Sequence, residues 1–441
     1  MLNKLNSLID HQGFRKYFFN TGWLMVDKVV SLFLGFFIGI WVARYLGPGK
    51  FGLLSFAMSF VSLFSAIGTL GLDQIIVRNI VREPEDKDSI LGTSFFLRLF
   101  GSILLLILVF IVLQFMLVSA YDKVIVMIIA FGQLFTNFNI IDYYFQSQVK
   151  AKFSGISSVF GRLTSYTARV IFIIFGLSLI WFAGAVVIEQ IIKGIFLLYF
   201  YIKNKLSVLT WRYSWQTAKS LLKDSWSLIA SGIAITIYMG IDQIMIKEML
   251  SNKEVGEYAV AVKLSTFWYF IPMIISSSIF PAIVNAKTQN SKLYFQRLQK
   301  VYDLLFLLAI SVALPITFLS GWIVNLLYGH EYIQAAQVLQ IYIWAGIIVF
   351  HGAIRGNFLI AENKQAVGLQ FRILGAMLNI ALNLFLIKYY GIIGAAYATI
   401  ISYALPIYIL APFYGVLRKE LAFTWNAYLF KWLWTAKQND S

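Results

Sequence analysis

Apolar runs of about twenty residues recur from one end of the chain to the other, separated by short polar breaks. As helices rising about 1.5 Å per residue, each is long enough to cross roughly 30 Å of hydrocarbon. They predict about twelve spans, at 18–45, 52–77, 90–118, 123–145, 155–176, 180–202, 225–249, 257–284, 302–327, 336–360, 370–388 and 393–416. The runs are continuous, which argues against the alternating polar-in, apolar-out period of an outer-membrane barrel. The pattern is that of an all-α polytopic membrane protein. Residues 1–17 carry no signal-peptide core, because the first apolar run begins at Phe18 and is too long to be one.

Composition agrees. The 441 residues are 60% hydrophobic and only 13% charged, where soluble domains run nearer one-quarter charged. There is no cysteine, hence no disulfide framework and no thiolate site. His11, His330 and His351 lie far apart in sequence, so no metal site is expected.

The net charge of +16 is explained by where the cations fall. One set of connections holds most of them, including Arg15, Lys16, Arg78, Arg82, Lys203, Lys205, Arg212, Arg297, Lys300 and Arg418. The alternate set holds only Arg44, Lys50, Lys123, Lys247, Lys253 and Lys388. By the positive-inside rule both termini are cytoplasmic and the span number is even. The charge then reports topology, and nucleic acid is not an expected partner.

The longest polar connection is basic and aromatic, with Trp211, Tyr213 and Trp215, and falls near the midpoint. It divides the chain into a six-helix bundle at 1–203, an interfacial cytoplasmic linker at 204–224 and a second six-helix bundle at 225–416. A cytoplasmic amphipathic tail follows at 417–441, with Trp425, Tyr428, Trp432 and Trp434, and no transport role is expected of it. The halves echo each other: Phe51-Gly52 after the first span matches Val255-Gly256 after the seventh, and Ala57 falls on Ala261. Two six-span halves share one orientation, which makes a parallel repeat.

Charges inside apolar spans are the candidate chemistry. A charge at the centre of a membrane helix costs about 2.5–3.5 kcal/mol even on the lenient scale, so it faces a partner or a water-filled space. Arg355 stands in the apolar stretch 338–360 without an acid, with His351 a turn away on the same face. Guanidinium suits phosphate through bidentate hydrogen bonding. The candidate anion contacts are therefore Arg355, His351, Lys263, Lys28, Arg98 and Arg162. Competing explanations apply to several: Arg98 and Arg162 sit near span ends where a long stem snorkels, and Arg355 can pair with an acid on a neighbouring helix. Glu189 and Lys193, i and i+4, can pair with each other. Asp27 beside Lys28 is either a self-neutralising pair or a proton or sodium site. Asp242 has no partner on its own helix and is a candidate for ion coupling or gating. Five prolines lie in spans of the second half and only two, both in loops, in the first, which places more bending in the second half.

No enzyme signature is present. There is no phosphate-binding Walker loop, no nucleophile–base cluster, and no long connection on the cation-poor side to house a membrane polymerase or glycosyltransferase. No cofactor is expected.

The segment Arg44-Tyr-Leu-Gly-Pro-Gly-Lys-Phe-Gly52, and the span ending Gly71-Leu-Asp-Gln-Ile-Ile-Val-Arg78, resemble the first two helices of bacterial polysaccharide flippases of the O-antigen type. Asp242-Gln-Ile-Met-Ile, Val255-Gly-Glu-Tyr-Ala-Val-Ala-Val-Lys263 and Pro281 resemble the same group. It belongs to the multidrug/oligosaccharidyl-lipid/polysaccharide exporter superfamily. The resemblance implies two six-helix bundles around a central cavity, alternating access, and an undecaprenyl-pyrophosphate-linked oligosaccharide carried from the cytoplasmic to the periplasmic leaflet of the inner membrane. It further implies O-antigen or other surface polysaccharide (lipopolysaccharide) synthesis, coupling to a proton or sodium gradient, and a polysaccharide polymerase and chain-length regulator as partners besides membrane lipids. Three alternatives stay open: a drug/ion antiporter of this fold, a lipid II flippase, and a membrane-embedded polymerase or glycosyltransferase. A cationic drug wants an acidic cavity, whereas these spans lean basic; lipid II flippases usually carry two further helices.

Overall fold

The computed structural model describes residues 12–431, with side chains from Ser31 onward except that of Val416. Among these residues the chain is helical throughout and has no strand. The first half comprises α1 (Gln12–Leu63), α2 (Ser65–Thr69), α3 (Asp73–Arg82), α4 (Lys87–Phe115), α5 (Ala120–Gly132), α6 (Asn139–Ser147), α7 (Ala151–Ile174) and α8 (Leu179–Lys203). The second comprises α9 (Trp215–Met249), α10 (Asn252–Thr266), α11 (Phe270–Gln289), α12 (Ser291–Tyr328), α13 (Ile333–Tyr342), α14 (Ala345–Ala361), α15 (Gln365–Leu410) and α16 (Gly415–Tyr428).

Eight continuous helical stretches are long and apolar enough to cross a membrane, and α13 with α14, bent by 49°, makes a ninth. Two of these contain a glycine with non-helical dihedrals at a kink. Gly47 (φ 70°) splits α1 and Gly391 (φ 59°, ψ −141°) splits α15, each into two crossings joined by a minimal turn. Such dihedrals are open to glycine and to little else. Adding α7, whose Lys152, Arg162 and Arg169 make it less apolar, gives the twelve spans the hydrophobic pattern predicts.

The repeat is visible in how spans break. In the second span the helix is interrupted at Phe64, and in the eighth a 3-10 turn, Phe267–Tyr269, separates α10 from α11. In the fourth span a 3-10 segment, Gln133–Phe138, separates α5 from α6; in the tenth α13 gives way to α14 at 343–344. Both halves thus interrupt the regular α-helix in the same two spans, and the tenth span is bent there by 49°. The sequence matches agree: Phe51, Gly52 and Ala57 are buried, as are Val255, Gly256 and Ala261.

Two compact units result, 1–236 and 237–441, so the division falls inside α9, after Thr236, and not in the 204–224 connection. The beginning of α9 is claimed by the first unit through close packing. Gly71 (φ 60°) lies against Leu228 and Ile229, Gly232 against Ala66, and Asp224 accepts an ion pair from Arg78. The first unit has a core of Leu72, Ile76, Ile90, Phe145, Leu197 and Tyr201. The second is built around Tyr294, Tyr302, Leu305, Phe306, Phe358 and Leu417.

Helix α16 departs from the expected surface tail. Its positions Leu417, Glu420, Leu421, Thr424 and Ala427, spaced three and four apart, are buried, and the helix packs along α12 in the core of the second unit. Trp432, Trp434 and Lys437 lie outside the described residues.

Candidate functional site

Three clusters of buried polar groups stand out, each assembled from different spans. In the second unit, α9 supplies Asp242, α10 supplies Tyr258, and the two arms of α15 supply Asn379 and Asn383, then Thr399 and Ser402. Tyr258 donates its hydroxyl to Asp242 Oδ2 at 2.7 Å, and Asn383 Nδ2 donates to Asp242 Oδ1 at 2.6 Å. Thr399 Oγ1 stands 2.8 Å from Oδ2 and 3.0 Å from the Ala395 carbonyl, so its one proton serves one of the two. Asn383 Nδ2 also reaches Asn379 Oδ1 at 3.0 Å. The carboxylate makes no ion pair among the described residues; hydroxyl and amide donors alone meet its charge. Asn383 Oδ1, buried beside it, has no hydrogen-bond partner. An acid in apolar surroundings, ringed by oxygen atoms and lacking a fixed countercharge, is suited to exchanging a proton or a small hard cation.

In the second cluster Arg355 meets an acid from a neighbouring helix, the alternative that the sequence left open. This side chain is 6% exposed, and its Nη2 and Nε both lie 2.9 Å from Oε1 of Glu420 on α16. Tyr302 of α12 donates to the same oxygen at 2.7 Å. His351 does not join Arg355 at a shared anion: its Nε2 meets the Tyr302 carbonyl at 3.1 Å, and its ring stacks on Tyr428 at 5.4 Å. Arg355 and His351 therefore belong to the contact that seats α16. The acid that the span 338–360 lacked comes from the tail.

The third cluster lies in the first unit, along α6, α7 and α8. Arg162 stands 3.9 Å from Glu189 and hydrogen-bonds Ser31 of α1; Lys193 stands 3.6 Å from Asp142, which also accepts from Gln146 at 3.0 Å. The i, i+4 pair Glu189–Lys193 is thus replaced by two pairs between helices. Arg162 and Glu189 keep 27% and 25% of their side chains exposed, so they are not sealed off as Arg355 is. Arg98, by contrast, is 1% exposed, ion-paired to Asp73 at 2.7 Å and bonded to Tyr143 at 3.2 Å. It ties α4 to α3 and α6. Lys263 is half-buried near the end of α10. The side chains of Asp27 and Lys28 lie outside the described residues.

Residues 18–287 match the family described as polysaccharide biosynthesis protein, more than half of the chain. The chain belongs to that family. Among curated relatives, the "Probable low-salt glycan biosynthesis flippase Agl15" of Haloferax volcanii is 27% identical over 205 residues, 46% of this chain and 43% of that protein. The match therefore spans less than half the length of that relative. A second Haloferax volcanii protein, "Probable flippase AglR", is 23% identical over 403 residues, 86% of this chain and 79% of its own. The fold is that of an inward-facing MATE family multidrug transporter of the MOP superfamily (TM-score 0.72, 15% identity, 92% of this chain and 98% of that one). It is shared equally with the lipid II flippase MurJ in an inward closed conformation (TM-score 0.71, 16% identity, 93% and 91%). This member of the polysaccharide biosynthesis protein family is an all-α, multi-span membrane protein with the architecture of that superfamily.

Sequence reading missed Tyr258, Asn379, Asn383, Thr399 and Glu420. Asn379 and Asn383 had a signal, two amides one turn apart in an otherwise apolar span. Glu420 did too, as the only acid within an amphipathic helix, at a position spaced with its apolar face.

Proposed function

We propose that this protein is a flippase that moves an undecaprenyl-pyrophosphate-linked oligosaccharide from the cytoplasmic to the periplasmic leaflet of the inner membrane by alternating access. The product feeds O-antigen or another surface polysaccharide, with a polymerase and chain-length regulator acting afterwards. The observation that carries this reading is membership of the polysaccharide biosynthesis family across 18–287 by a chain with a transporter fold. The names of the two Haloferax relatives support it. The orientation with both termini cytoplasmic rests on the asymmetry of Lys and Arg between alternate connections.

The geometry favours two sites of different character. Asp242 is the ion-coupling residue, with Asn383, Thr399 and Tyr258 as its donors; protonation, or a sodium ion held with Asn379 and Asn383 oxygens, would neutralise it. A neutralised carboxylate needs fewer donors, so α9, α10 and α15 would be free to shift against one another. For the anionic head of the cargo, Arg162 is the candidate within the first unit, with 27% of its side chain exposed; Lys263 and Lys28 are further candidates, each taken by itself. Arg162 is held by an ion pair to Glu189 at 3.9 Å and a hydrogen bond to Ser31, contacts that a pyrophosphate would replace by bidentate hydrogen bonding. Arg355 and Arg98, buried against Glu420 and Asp73, are placed behind these candidates.

The test is reconstitution in liposomes with a labelled lipid-linked oligosaccharide, with and without imposed proton or sodium gradients. Gradient-accelerated movement supports the proposal. Transport of cationic drugs with no movement of lipid-linked sugar would replace it with an exporter.

A further inference from the structure

The first unit carries an apolar groove that has no part in the clusters above. It lies between the last turns of α4, the first three turns of α5 and the first turns of α8, and encloses about 770 Å³. Phe110 and Leu113, Val124 and Phe131, and Trp181 form its walls. On α8 the wall is interrupted by Gly184, where an added Cβ would meet nothing within 4 Å. The glycine is not required by a close helix contact; it leaves depth in the groove. The surface beside it, Phe100, Ile107 and Phe110 along one face of α4, is exposed and apolar, the character of a lipid-facing stripe.

At the mouth stands Lys123, one of only six cations in the cation-poor connections. It makes no ion pair among the described residues: its Nζ donates to Gln114 Oε1 at 3.1 Å, a neutral partner at the same mouth. The neighbouring Asp122 is engaged at the helix cap, where it accepts from Ser119 Oγ at 2.7 Å. From Lys123 to Phe131 is eight residues of helix, about 12 Å of depth, close to the roughly 15 Å of one leaflet's hydrocarbon.

We infer that this groove is a binding site for one anionic phospholipid of the bilayer, its phosphate on Lys123 and Gln114 and an acyl chain along Phe110, Phe131 and Trp181 past Gly184. A cation at headgroup level above an apolar channel one leaflet deep is complementary to a lipid of that shape and charge. The inference concerns a surface of the first unit alone and does not rest on the flippase reading.

Trp181 reports occupancy directly. The protein is placed in phosphatidylcholine bilayers containing a minor fraction of phosphatidylglycerol, with bromine on the acyl chains of one lipid at a time. The quenching of Trp181 is taken as the difference between the wild type and Trp181→Phe. Brominated phosphatidylglycerol is expected to quench Trp181 about fivefold beyond its mole fraction, the ratio matching the ~1 kcal/mol one lysine gains from an anionic lipid surface. Lys123→Gln should abolish the preference between headgroups while leaving quenching itself. Gly184→Leu should reduce quenching by both lipids, and the unchanged melting temperature of either variant would show that it is folded. Quenching of wild type in proportion to mole fraction for both lipids would overturn the inference, leaving ordinary boundary lipid. Displacement of brominated phosphatidylglycerol by trace polyprenyl phosphate, at far lower mole fraction, would also overturn it by assigning the groove to the carrier lipid.

Discussion

Arg355 and Glu420 form a buried ion pair in which one carboxylate oxygen receives both Nε and Nη2 at 2.9 Å, with Glu420 fully buried. The two residues come from α14 and from the tail helix α16, so an element that looks appended to the transporter supplies the countercharge for a buried arginine. Removing one partner leaves an uncompensated charge in the core, at a cost of about 3–5 kcal/mol, whereas replacing both with apolar residues is often neutral. Glu420→Ala and Arg355→Ala are each expected to lower the melting temperature in detergent and the yield in membranes. Arg355→Met combined with Glu420→Leu should recover both. A double variant as unstable as the singles would show that the pair itself is not the cause.

Asp242 is predicted to set the ion dependence of transport. Asp242→Asn keeps the size of the side chain and removes its charge, so flipping should lose its response to an imposed proton or sodium gradient. Losing a hydrogen bond to a charged group costs about 1.5–3 kcal/mol, so Thr399→Val should shift the half-activating ion concentration by roughly tenfold or more. Flux measured against gradient size in proteoliposomes checks both. An Asp242→Asn protein with a normal gradient response would remove this carboxylate from coupling.

Two glycines separate steric from backbone demands. An added Cβ at Gly161 on α7 would stand 2.8 Å from the Glu189 carbonyl on α8, where the two helices touch. Gly161→Leu is expected to force these helices apart and disturb the Arg162–Glu189 pair, lowering both stability and activity. At Gly391 there is open space around an added Cβ, but the backbone sits at φ 59°, ψ −141°. Gly391→Ala should cost about 1–3 kcal/mol through strain alone. Thermal unfolding of both variants, with Gly184→Ala as an unstrained control, distinguishes the two causes.

Much of the architecture was legible in the sequence because lipid imposes a simple rule: a span must be apolar and about twenty residues long. Twelve crossings, the parallel repeat and the even charge alternation all follow from runs such as 90–118 and their spacing. The breaks within spans were hidden, since Phe64 and Phe267 interrupt helices without proline or glycine at the break itself. The pairing of buried charges was the least legible part. Arg355 meets Glu420 across sixty-five positions, and Asp242 meets Thr399 across one hundred and fifty-seven, distances at which sequence periodicity carries no information. An arginine in an apolar run calls for a partner, but only the packing of α16 brings Glu420 to it.

The central claim is movement of a lipid-linked oligosaccharide between leaflets. Purified protein in liposomes, with a fluorescent undecaprenyl-pyrophosphate oligosaccharide and a membrane-impermeant quencher outside, measures it directly. The account predicts a protein-dependent change in quencher-accessible lipid, faster under a proton or sodium gradient and slowed by Arg162→Ala in a protein that melts normally. Rates equal to protein-free liposomes under every gradient, from protein shown to be folded and inserted, would contradict it.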